Sequence, residues 1–344
     1  MKKSIVFFSI DRLGDYLIRS NLIYQISKKY DKKEIICSNL NFKLISNQKF
    51  LNKITIFDLR KKNFNKLNFI KRYFFKKYDT VIVFDGKTIS YLLMFIINAK
   101  NKYAFIYKKN GFLNIFLFNL FKFILNILKI KFETLNSREL IEKGYFDNYP
   151  KKYNFLKQFY NYNNNNIYYL NKSKLNFFSK FKDNYILIHL DEKFNDIEDI
   201  KTSFEKSLIA FKKKIKKKII LTSHNNKCNY YKKLNLNKVN FEKINYDIFK
   251  KNNILIIENI PIKDFQNLIE NSYYNISCHS GYFVHTSLAL NKKTIDIINK
   301  NDEKWLSSWV SKSNDYKPIY KSSDRNSKRI NIILNNIQNE INKS

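Results

Sequence analysis

A short polar segment near the amino terminus carries the first candidate catalytic group. It has the sequence Arg12-Leu13-Gly14-Asp15 and follows a run of apolar residues. Gly14 permits a close backbone turn, and Asp15 then stands beyond the carboxyl end of a predicted strand, where open α/β sheets bind ligands. A carboxylate in that position can take a proton from a hydroxyl, so Asp15 is a candidate general base. The alternative is that Asp15 only caps the helix that follows.

A second segment has the composition of an anion-binding turn. Its residues His279-Ser280-Gly281 separate a predicted strand from a predicted helix. Ser280, Gly281 and the free amides at the helix start can cradle a diphosphate, and the helix dipole adds favourable charge. His285, one turn into the helix, is placed to donate to a phosphate or sugar oxygen. Against this, a lone helical histidine is more often simply packed or solvated.

A third segment joins a strand to a charged loop at Asp191-Glu192-Lys193. Lys193 is a candidate for neutralising a leaving diphosphate, although lysine is so abundant here that chance placement competes with this interpretation. The nearby acidic residues Asp196, Glu198 and Asp199 have no matching ligands close in sequence, so we expect no metal site.

These segments must be positioned by alternating strands and helices, which is the pattern of a parallel sheet flanked by helices. In the first half, strands are predicted at 4–10, 34–38, 54–58, 80–84 and 103–107, with helices at 15–29, 63–76, 87–97 and 112–130. In the second half, strands are predicted at 185–190, 218–222, 254–257, 274–278 and 294–298, with helices at 202–216, 262–271, 282–291 and 324–342.

The asparagine-rich stretch between the two halves interrupts this alternation and is typical of a connection. A chain of 344 residues is also long enough for two cores. The sequence therefore predicts an α/β protein with an amino-terminal Rossmann-like domain at 1–160, a linker at 161–183, and a second Rossmann-like domain with a terminal amphipathic helix at 184–344.

The charge is strongly basic, with 64 Lys and Arg against 29 Asp and Glu and a formal net charge of +35. The lysines are spread along the whole chain, without an arginine-rich arm or a nucleic-acid-binding motif, so we expect no nucleic-acid partner. An anionic membrane surface or a phosphorylated ligand fits at least as well. A genome with biased base composition would also produce this excess without selection on function.

The cysteines and the amino-terminal residues indicate a compartment. Cys37, Cys228 and Cys278 are widely spaced and odd in number, which is typical of reduced thiols in the cytoplasm. The amino-terminal apolar run resembles a signal peptide, but it is short and meets Asp11 and Arg12 instead of a cleavage site. We therefore expect a first strand there.

The predicted helix at 112–130 is too apolar for an ordinary surface helix. Asn119, Lys122, Asn126 and Lys129 fall on one narrow face, and apolar residues occupy the rest. Polar groups in its middle disfavour a membrane crossing. Two interpretations remain open: a helix buried between the first sheet and the terminal helix, or a helix lying at the surface of an anionic membrane.

Taken together, the segments resemble glycosyltransferase family 9, which contains the ADP-heptose:lipopolysaccharide heptosyltransferases. The resemblance rests on the turn at Arg12-Leu13-Gly14-Asp15, on the strand at 78–85 with its acidic end Asp85, and on the strand, turn and helix around His279-Ser280-Gly281. It implies the GT-B architecture, in which two Rossmann-like domains face each other across a cleft.

The resemblance also implies an activity, namely inverting, metal-independent transfer of heptose or a related sugar. The donor would be a nucleotide sugar, ADP-linked in the family, and the acceptor a lipopolysaccharide or another surface glycan, with no further cofactor. Asp15 would be the catalytic base and Arg12, Gly14 and Asp85 would bind the acceptor. Donor binding would fall to Lys193, Glu258, His279, Ser280, Gly281 and His285.

The sequence departs from the family at two points. Around the turn, His279 stands where the family has Asp, and His285 follows Gly281 by four residues instead of three. After the first strand of the second domain, the family's Lys-Arg-Trp-like signature is absent, and Asp191-Glu192-Lys193-Phe194 stands there. Two alternatives stay open. One is a transferase of the same fold with another donor, and the other is a noncatalytic protein that binds nucleotide sugars or polyanions. The cysteines and the amino-terminal residues predict a cytoplasmic protein. The apolar helix at 112–130 and the surrounding lysines add peripheral contact with the inner face of the cytoplasmic membrane as an expectation.

Overall fold

The computed structural model has two compact units, Met1–Asn171 and Lys172–Ser344. Most of the predicted linker at 161–183, and also Cys228, lie outside the residues that the structure describes. The described residues are 2–46, 48–57, 66–85, 87–108, 112–136, 170, 178–179, 182–223, 237–239, 248–251, 254–303, 306, 310, 315–321 and 329–343.

The first unit is built on a parallel sheet of six strands with the order β3-β2-β1-β4-β5-β6. Its central strands are buried along most of their length, which explains their nearly continuous apolar sequences. The strands are β1 (Ser4–Ser9), β2 (Lys32–Cys37), β3 (Lys53–Ile56), β4 (Tyr78–Val83), β5 (Ala99–Lys108) and β6 (Lys131–Asn136). The helices are α1 (Leu13–Ser27), α2 (Asn39–Ile45), α3 (Lys66–Phe75), α4 (Thr88–Ile96) and α5 (Phe112–Ile127).

A buried carboxylate joins several of these elements through hydrogen bonds. Glu34 of β2 accepts hydrogen bonds from the hydroxyls of Tyr73 and Tyr78, at 2.5 and 2.7 Å, and from Lys76 Nζ at 2.7 Å. Thr55 Oγ1 of β3 donates to the same carboxylate at 2.9 Å. Burial by itself would raise the pKa of Glu34, but these hydrogen bonds outweigh it and hold the pKa below the usual value.

Helices α3, α4 and α5 cover one face of the first sheet. Phe69, Tyr91 and Leu125 contribute one buried residue from each helix to the same core cluster. The outward sides of these helices are unusually apolar, and we call this surface the apolar face. It comprises Phe74, Phe75, Leu92, Ile115, Phe116, Leu117, Leu120, Phe123, Ile127 and Leu128, all exposed.

Helix α5 is therefore not the buried cover that one interpretation of its sequence required. It rests on the sheet through Phe118, Phe121 and Leu125, whereas Phe116 and Phe123 are 58% and 62% exposed. Within the described part of the chain, no helix is both long enough and apolar enough to cross a membrane.

The second unit contains a sheet of eight strands with the order β14-β13-β12-β7-β8-β11-β10-β9. It is parallel except at β9 and β10, which are antiparallel to their neighbours. The strands are β7 (Tyr185–Leu190), β8 (Lys218–Ser223), β9 (Asn237–Val239), β10 (Ile248–Lys251), β11 (Ile254–Glu258), β12 (Tyr274–Ser277), β13 (Thr294–Ile298) and β14 (Tyr316–Tyr320). The helices are α6 (Ile200–Lys214), α7 (Ile262–Glu270), α8 (Gly281–Ala289) and α9 (Ile330–Asn342).

Helices cover both faces of this second sheet. Phe204 of α6 and Ile333 of α9 belong to the core on one face, and Phe265 of α7 and Phe283 of α8 belong to the core on the other. The terminal helix α9 thus packs within the second unit, beside α6. The predicted fold class, with two Rossmann-like α/β domains and a terminal helix, is confirmed.

Candidate functional site

The strand order of the first sheet creates a switch point between β1 and β4. The chain moves outward from β1 through β2 to β3, then returns to the other side of β1 and moves outward through β4 to β6. The loops after β1 and β4 therefore leave toward opposite faces of the sheet and open a crevice, which is where such sheets bind ligands. Of the predicted residues, Arg12 and Asp85 lie on these two loops, and Gly14 and Asp15 lie in the first turn of α1, directly after the first loop.

Asp15 stands in the first turn of α1, at its third residue. Arg12 is the capping residue of this helix in extended conformation, and its backbone N–H donates to the Asp15 carboxylate at 3.4 Å. Asp15 is thus not itself the capping residue, although its carboxylate faces the cap. Both side chains are exposed, and Gly14 is half-buried in the same turn. This arrangement leaves the Asp15 carboxylate accessible to a ligand at the crevice.

Asp85 has a different environment. It is 2% exposed, and its carboxylate accepts the N–H of Ile10 at 3.0 Å and that of Lys87 at 3.3 Å. Lys87 in turn donates from Nζ to the Ile10 carbonyl at 2.6 Å. Asp85 and Lys87 therefore join the two loops of the switch point, and contact of Asp85 with an acceptor stays a prediction.

Sequence analysis did not predict the role of Asp11, which holds the turn after β1 in place. Asp11 forms an ion pair with Arg19 of α1, which is 2% exposed, and accepts hydrogen bonds from Ser9 Oγ at 3.2 Å and Asn41 Nδ2 at 3.4 Å. The Arg19 guanidinium also lies 5.7 Å from the centre of the Phe84 ring. Because Arg19 and Asn41 come from α1 and α2, only the fold brings them to Asp11.

The second sheet has a switch point of the same kind between β7 and β12. The chain runs from β7 through β8 to β11 and later returns to place β12 on the other side of β7. The loop after β7 is a short 3₁₀ helix, Glu192–Asp196, and the loop after β12 contains His279, Ser280 and Gly281. The thiol of Cys278 reaches the Lys193 carbonyl at 3.3 Å and so joins the two loops. Four predicted donor-binding residues, Lys193 and His279 to Gly281, are thereby brought to one place.

A buried aspartate that was not predicted holds His279. Asp296 of β13 is fully buried and accepts the backbone N–H of His279 at 2.8 Å, while the His279 Nδ1 lies 3.0 Å from its other oxygen. The Tyr316 hydroxyl also donates to this second oxygen, at 3.1 Å. His279 has a φ of 51°, in the left-handed region that few non-glycine residues adopt. Asp296 thus fixes both the backbone and the ring of His279.

The start of α8 is open toward solvent. Ser280 is the capping residue, but its side chain makes no capping hydrogen bond. A Cβ built on Gly281 would have no neighbouring atom within 4 Å. The chain itself therefore does not require glycine at this position, and the first-turn amides have no partner within the helix.

Two titratable groups near this switch point have shifted pKa values. Burial raises the pKa of Asp191 to about 6, against the opposing effect of its hydrogen bond from the Lys193 N–H and of the charges on Lys193 and Lys321. Burial, with the nearby His279, lowers the pKa of His285 to about 3. At neutral pH His285 is therefore an uncharged ring, 6% exposed, that can offer a hydrogen bond but no positive charge.

The remaining predicted residues lie at different distances from this switch point. Lys193 is exposed, and Lys321, which was not predicted, donates to its carbonyl at 3.0 Å and to Asp196 at 3.1 Å. Glu258 is the last residue of β11, at the same carboxyl ends of the strands as this switch point, but β11 lies two strands away from β7. Among the described residues, no group of three or more His, Cys, Asp or Glu is placed to hold a metal ion.

The fold was compared with known proteins. No protein-family model matches the sequence, and no curated protein matches it. Solved structures do match: E. coli heptosyltransferase WaaC with ADP superimposes with a TM-score of 0.65 at 12% identity, over 99% of this chain and 99% of that chain. This chain has the heptosyltransferase fold. E. coli ADP-heptose LPS heptosyltransferase II matches that fold with a TM-score of 0.61 at 10% identity, covering 98% and 99% of the two chains.

A third structure, a family 9 glycosyltransferase from Veillonella parvula, has a TM-score of 0.59 at 11% identity, over 92% of this chain and 86% of that chain. The heptosyltransferase fold is thus shared along nearly the whole chain, and the resemblance to glycosyltransferase family 9 with its GT-B fold is confirmed at the level of structure. Identities this low establish the fold and leave the donor, the acceptor and the residue roles to chemical argument.

Proposed function

We propose that this chain is a glycosyltransferase that moves a sugar from a nucleotide-sugar donor to an acceptor hydroxyl. One observation carries the proposal: the chemistry-bearing residues of each unit gather at the switch point of its sheet, where Rossmann-like sheets bind ligands. Two of the similar structures support a nucleotide-sugar donor, since they contain E. coli heptosyltransferase WaaC with ADP and with ADP-2-deoxy-2-fluoro heptose.

The donor would bind at the second switch point. Its diphosphate would lie against the first-turn amides of α8 and the open space above Gly281, where a negative charge is favoured by the helix dipole. The exposed Lys193 and the ring of His279 are placed to stabilise the charge that develops on the leaving nucleotide diphosphate. Contact of Ser280, His285 and Glu258 with the donor is part of the same proposal.

The acceptor would bind at the first switch point, near Arg12 and Gly14. Asp15 would take the proton from the attacking hydroxyl while the acceptor oxygen forms a bond to the anomeric carbon and the bond to the diphosphate breaks. Attack opposite the leaving group would invert the anomeric centre. No metal enters this scheme, because Lys193 and the start of α8 would supply the positive charge and His279 a hydrogen bond. We favour an ADP-linked heptose or related sugar as donor and a lipopolysaccharide or other surface glycan as acceptor, in the cytoplasm.

The first test is the identity of the donor. A nucleotide sugar that binds only the folded protein raises the melting temperature, so a thermal-shift series with ADP-, UDP-, GDP- and CMP-linked sugars would rank the nucleotides. The ADP-linked sugar should give the largest shift. If none of the four shifts the melting temperature, the proposed donor class is wrong.

The second test is the base. Asp15→Asn should keep the fold and the donor affinity, because the amide oxygen can still accept the Arg12 N–H, while turnover falls by roughly 100-fold or more, as loss of a general base should cause. Turnover is measured as release of the nucleotide diphosphate in the presence of acceptor.

Asp31→Asn is the matched control, since Asp31 is also an exposed carboxylate that accepts one backbone N–H, from Lys3 at 2.8 Å. Equal turnover in Asp15→Asn and in the control would remove Asp15 from the mechanism. Donor binding without turnover in the unmodified protein, across all acceptors tested, would instead favour the noncatalytic alternative.

A further inference from the structure

The exposed apolar side chains of this protein are concentrated on one surface. Among the described residues, twelve large hydrophobic side chains are exposed, and ten of them form the apolar face of α3, α4 and α5. The other two are Leu40 and Ile209. Soluble proteins usually scatter such residues singly, and a contiguous patch marks a surface that binds something.

The sequence around this face contains no negative charge. Between Asp85 and Glu133, the chain has eight lysines and no aspartate or glutamate, and α3 has no carboxylate either. Lys122 and Lys129 are exposed within and just beyond α5. A partner that covers this face must therefore accept apolar and cationic groups side by side.

A lysine-rich cavity lies next to the apolar face. We call it the lysine pocket: it has a volume of about 910 Å³ at the amino ends of β1, β2 and β4, and lysines make up seven of its thirteen lining residues. Lys77 lines this pocket and also a recess of about 410 Å³ that is bordered by Phe74 and Phe75. The lysine pocket and the apolar face are therefore continuous at the end of α3.

The carboxylates of the lysine pocket are already engaged by neighbouring lysines. Glu34 pairs with Lys76 at 2.7 Å and with Lys53 at 3.4 Å, and Asp79 pairs with Lys100 at 3.3 Å. The other four lysines of the pocket, which include Lys33 and Lys77, add further positive charge that these two acids do not balance. The pocket thus has a surplus of positive charge that an external anion would neutralise.

We propose that the apolar face and the lysine pocket together bind the surface of an anionic lipid bilayer. The exposed side chains of α5, including Phe116 and Phe123, would enter the boundary between headgroups and acyl chains, with the helix parallel to the membrane. Lys33 and Lys77 would contact phosphate groups of anionic lipids. A second copy of this chain is a poorer partner, because pairing two such faces would bring lysines against lysines.

This inference does not depend on the proposed reaction, and its test uses neither donor nor acceptor. The full chain is mixed with phosphatidylcholine vesicles that contain or lack phosphatidylglycerol, and bound protein is separated by flotation. We expect binding to the anionic vesicles at low salt, weaker binding at high salt, and little binding to phosphatidylcholine alone.

Two pairs of variants test the two parts of the surface. Phe116→Ser/Phe123→Ser should lower the partition coefficient at least about tenfold, because two exposed rings no longer enter the bilayer. The matched control is Leu40→Ser/Ile209→Ser, which removes the two exposed apolar side chains outside the face and should bind as the unmodified protein does.

The charged part has its own control. Lys33→Gln/Lys77→Gln should lower the partition coefficient by about tenfold at low salt, with a difference that shrinks as salt rises. Lys213→Gln/Lys216→Gln removes two exposed lysines from the second unit, with the same change of net charge, and should have a much smaller effect.

Three results would overturn the proposal. One is absence of flotation with anionic vesicles at low salt. Another is equal binding of Phe116→Ser/Phe123→Ser and its control, with melting temperatures showing that both are folded. The third is a concentration-dependent dimer in light scattering that this variant abolishes while vesicles bind no protein, which would assign the apolar face to a second copy.

Discussion

Gly281 is an informative position because the chain gives no steric reason for its glycine. A Cβ there would meet no atom within 4 Å, and the residue begins α8, where alanine is favourable. If a larger side chain at position 281 lowers the donor affinity, the loss can therefore be attributed to a clash with the donor and not with the protein. We expect Gly281→Ala to leave the melting temperature nearly unchanged and to weaken nucleotide-sugar binding at least roughly tenfold. Gly281→Val should weaken nucleotide-sugar binding further.

Calorimetric titration of each variant with donor and with acceptor measures this difference. Acceptor affinity should stay close to that of the unmodified protein. Equal losses of affinity for both ligands would indicate misfolding, and an unchanged donor affinity in Gly281→Val would remove the start of α8 from the donor site.

Asp191 gives a pH dependence whose sign is fixed by its raised pKa. Because the folded-state pKa is about 6 and the ordinary value is 3.8, ionisation is harder in the folded protein. The stability contribution of this group is therefore present at low pH and falls as pH rises from about 4 to about 6. Asp191→Asn should raise the free energy of unfolding at pH 7 by on the order of 1–3 kcal/mol and by much less at pH 4.

Denaturant unfolding at the two pH values checks this prediction. The asparagine can still accept the Lys193 N–H, so the start of the 3₁₀ helix is retained. A stabilisation of equal size at pH 4 and pH 7 would show that ionisation of Asp191 is not its cause.

The residues that sequence analysis identified are those on strand-to-helix turns, where local order is sufficient to predict position. Asp15, Lys193 and the turn at His279 belong to this class. Asp296 was missed because it acts from a neighbouring strand, and its contact with His279 depends on the pairing of β12 with β13. A signal was present, since Asp296 is the single charged residue in the apolar strand β13 and a buried carboxylate needs donors.

At the scale of elements, Glu34 joins β2, β3, α3 and β4 through one carboxylate. Removing it would leave the buried Tyr78 hydroxyl and Lys76 without this acceptor, and Tyr73 with Thr55 Oγ1, at 2.9 Å, in its place. We expect Glu34→Leu to lower the free energy of unfolding by about 3 kcal/mol or more, and Glu34→Gln, which keeps one carbonyl acceptor, to cost less. Urea unfolding followed by tyrosine fluorescence measures both.

The lowered pKa of Glu34 adds a pH test. Its stabilisation is present above the ordinary value of 4.5 and is lost as pH falls through the lower folded-state pKa. The difference between the unmodified protein and Glu34→Gln should therefore narrow in acid. A difference that stays constant from pH 7 into this range would contradict the assignment.

The elements themselves were predicted where apolar periodicity was strong. Strands such as β7 and β13 have their predicted bounds, and most helices differ by only a few residues, as expected for helix ends. The elements that were missed have weak patterns. Helix α2 is seven residues long with two asparagines. Strand β6 is an edge strand in which four of the six residues are polar, and β14 contains Pro318, which edge strands tolerate. The secondary structure of such segments depends on their tertiary contacts more than on their local sequence.

At the scale of the whole molecule, the same strand order occurs twice, in β3-β2-β1-β4-β5-β6 and in β11-β8-β7-β12-β13-β14. Each sheet has its own core clusters, formed by residues of its own unit. The sequence predicted this repetition because strands and helices alternate in both halves. It did not predict the antiparallel β9 and β10, which extend only the second sheet.

Because each unit has its own core, we expect two separate thermal transitions. The proposed donor site predicts which of the two transitions the donor shifts. If the nucleotide sugar binds at the switch point of β7 and β12, saturation stabilises the second unit selectively, and a concentration about 100 times the Kd adds about 2.7 kcal/mol. For a unit of roughly 170 residues, that free energy corresponds to an upward shift of about 5–10 °C. Differential scanning calorimetry of the full chain measures this shift. In Gly281→Val the transition of the second unit should no longer respond to the donor. Glu34→Gln should lower only the transition of the first unit. If the donor moves the transition that Glu34→Gln lowers, the donor site belongs to the first unit and the assignment of the two switch points must be exchanged.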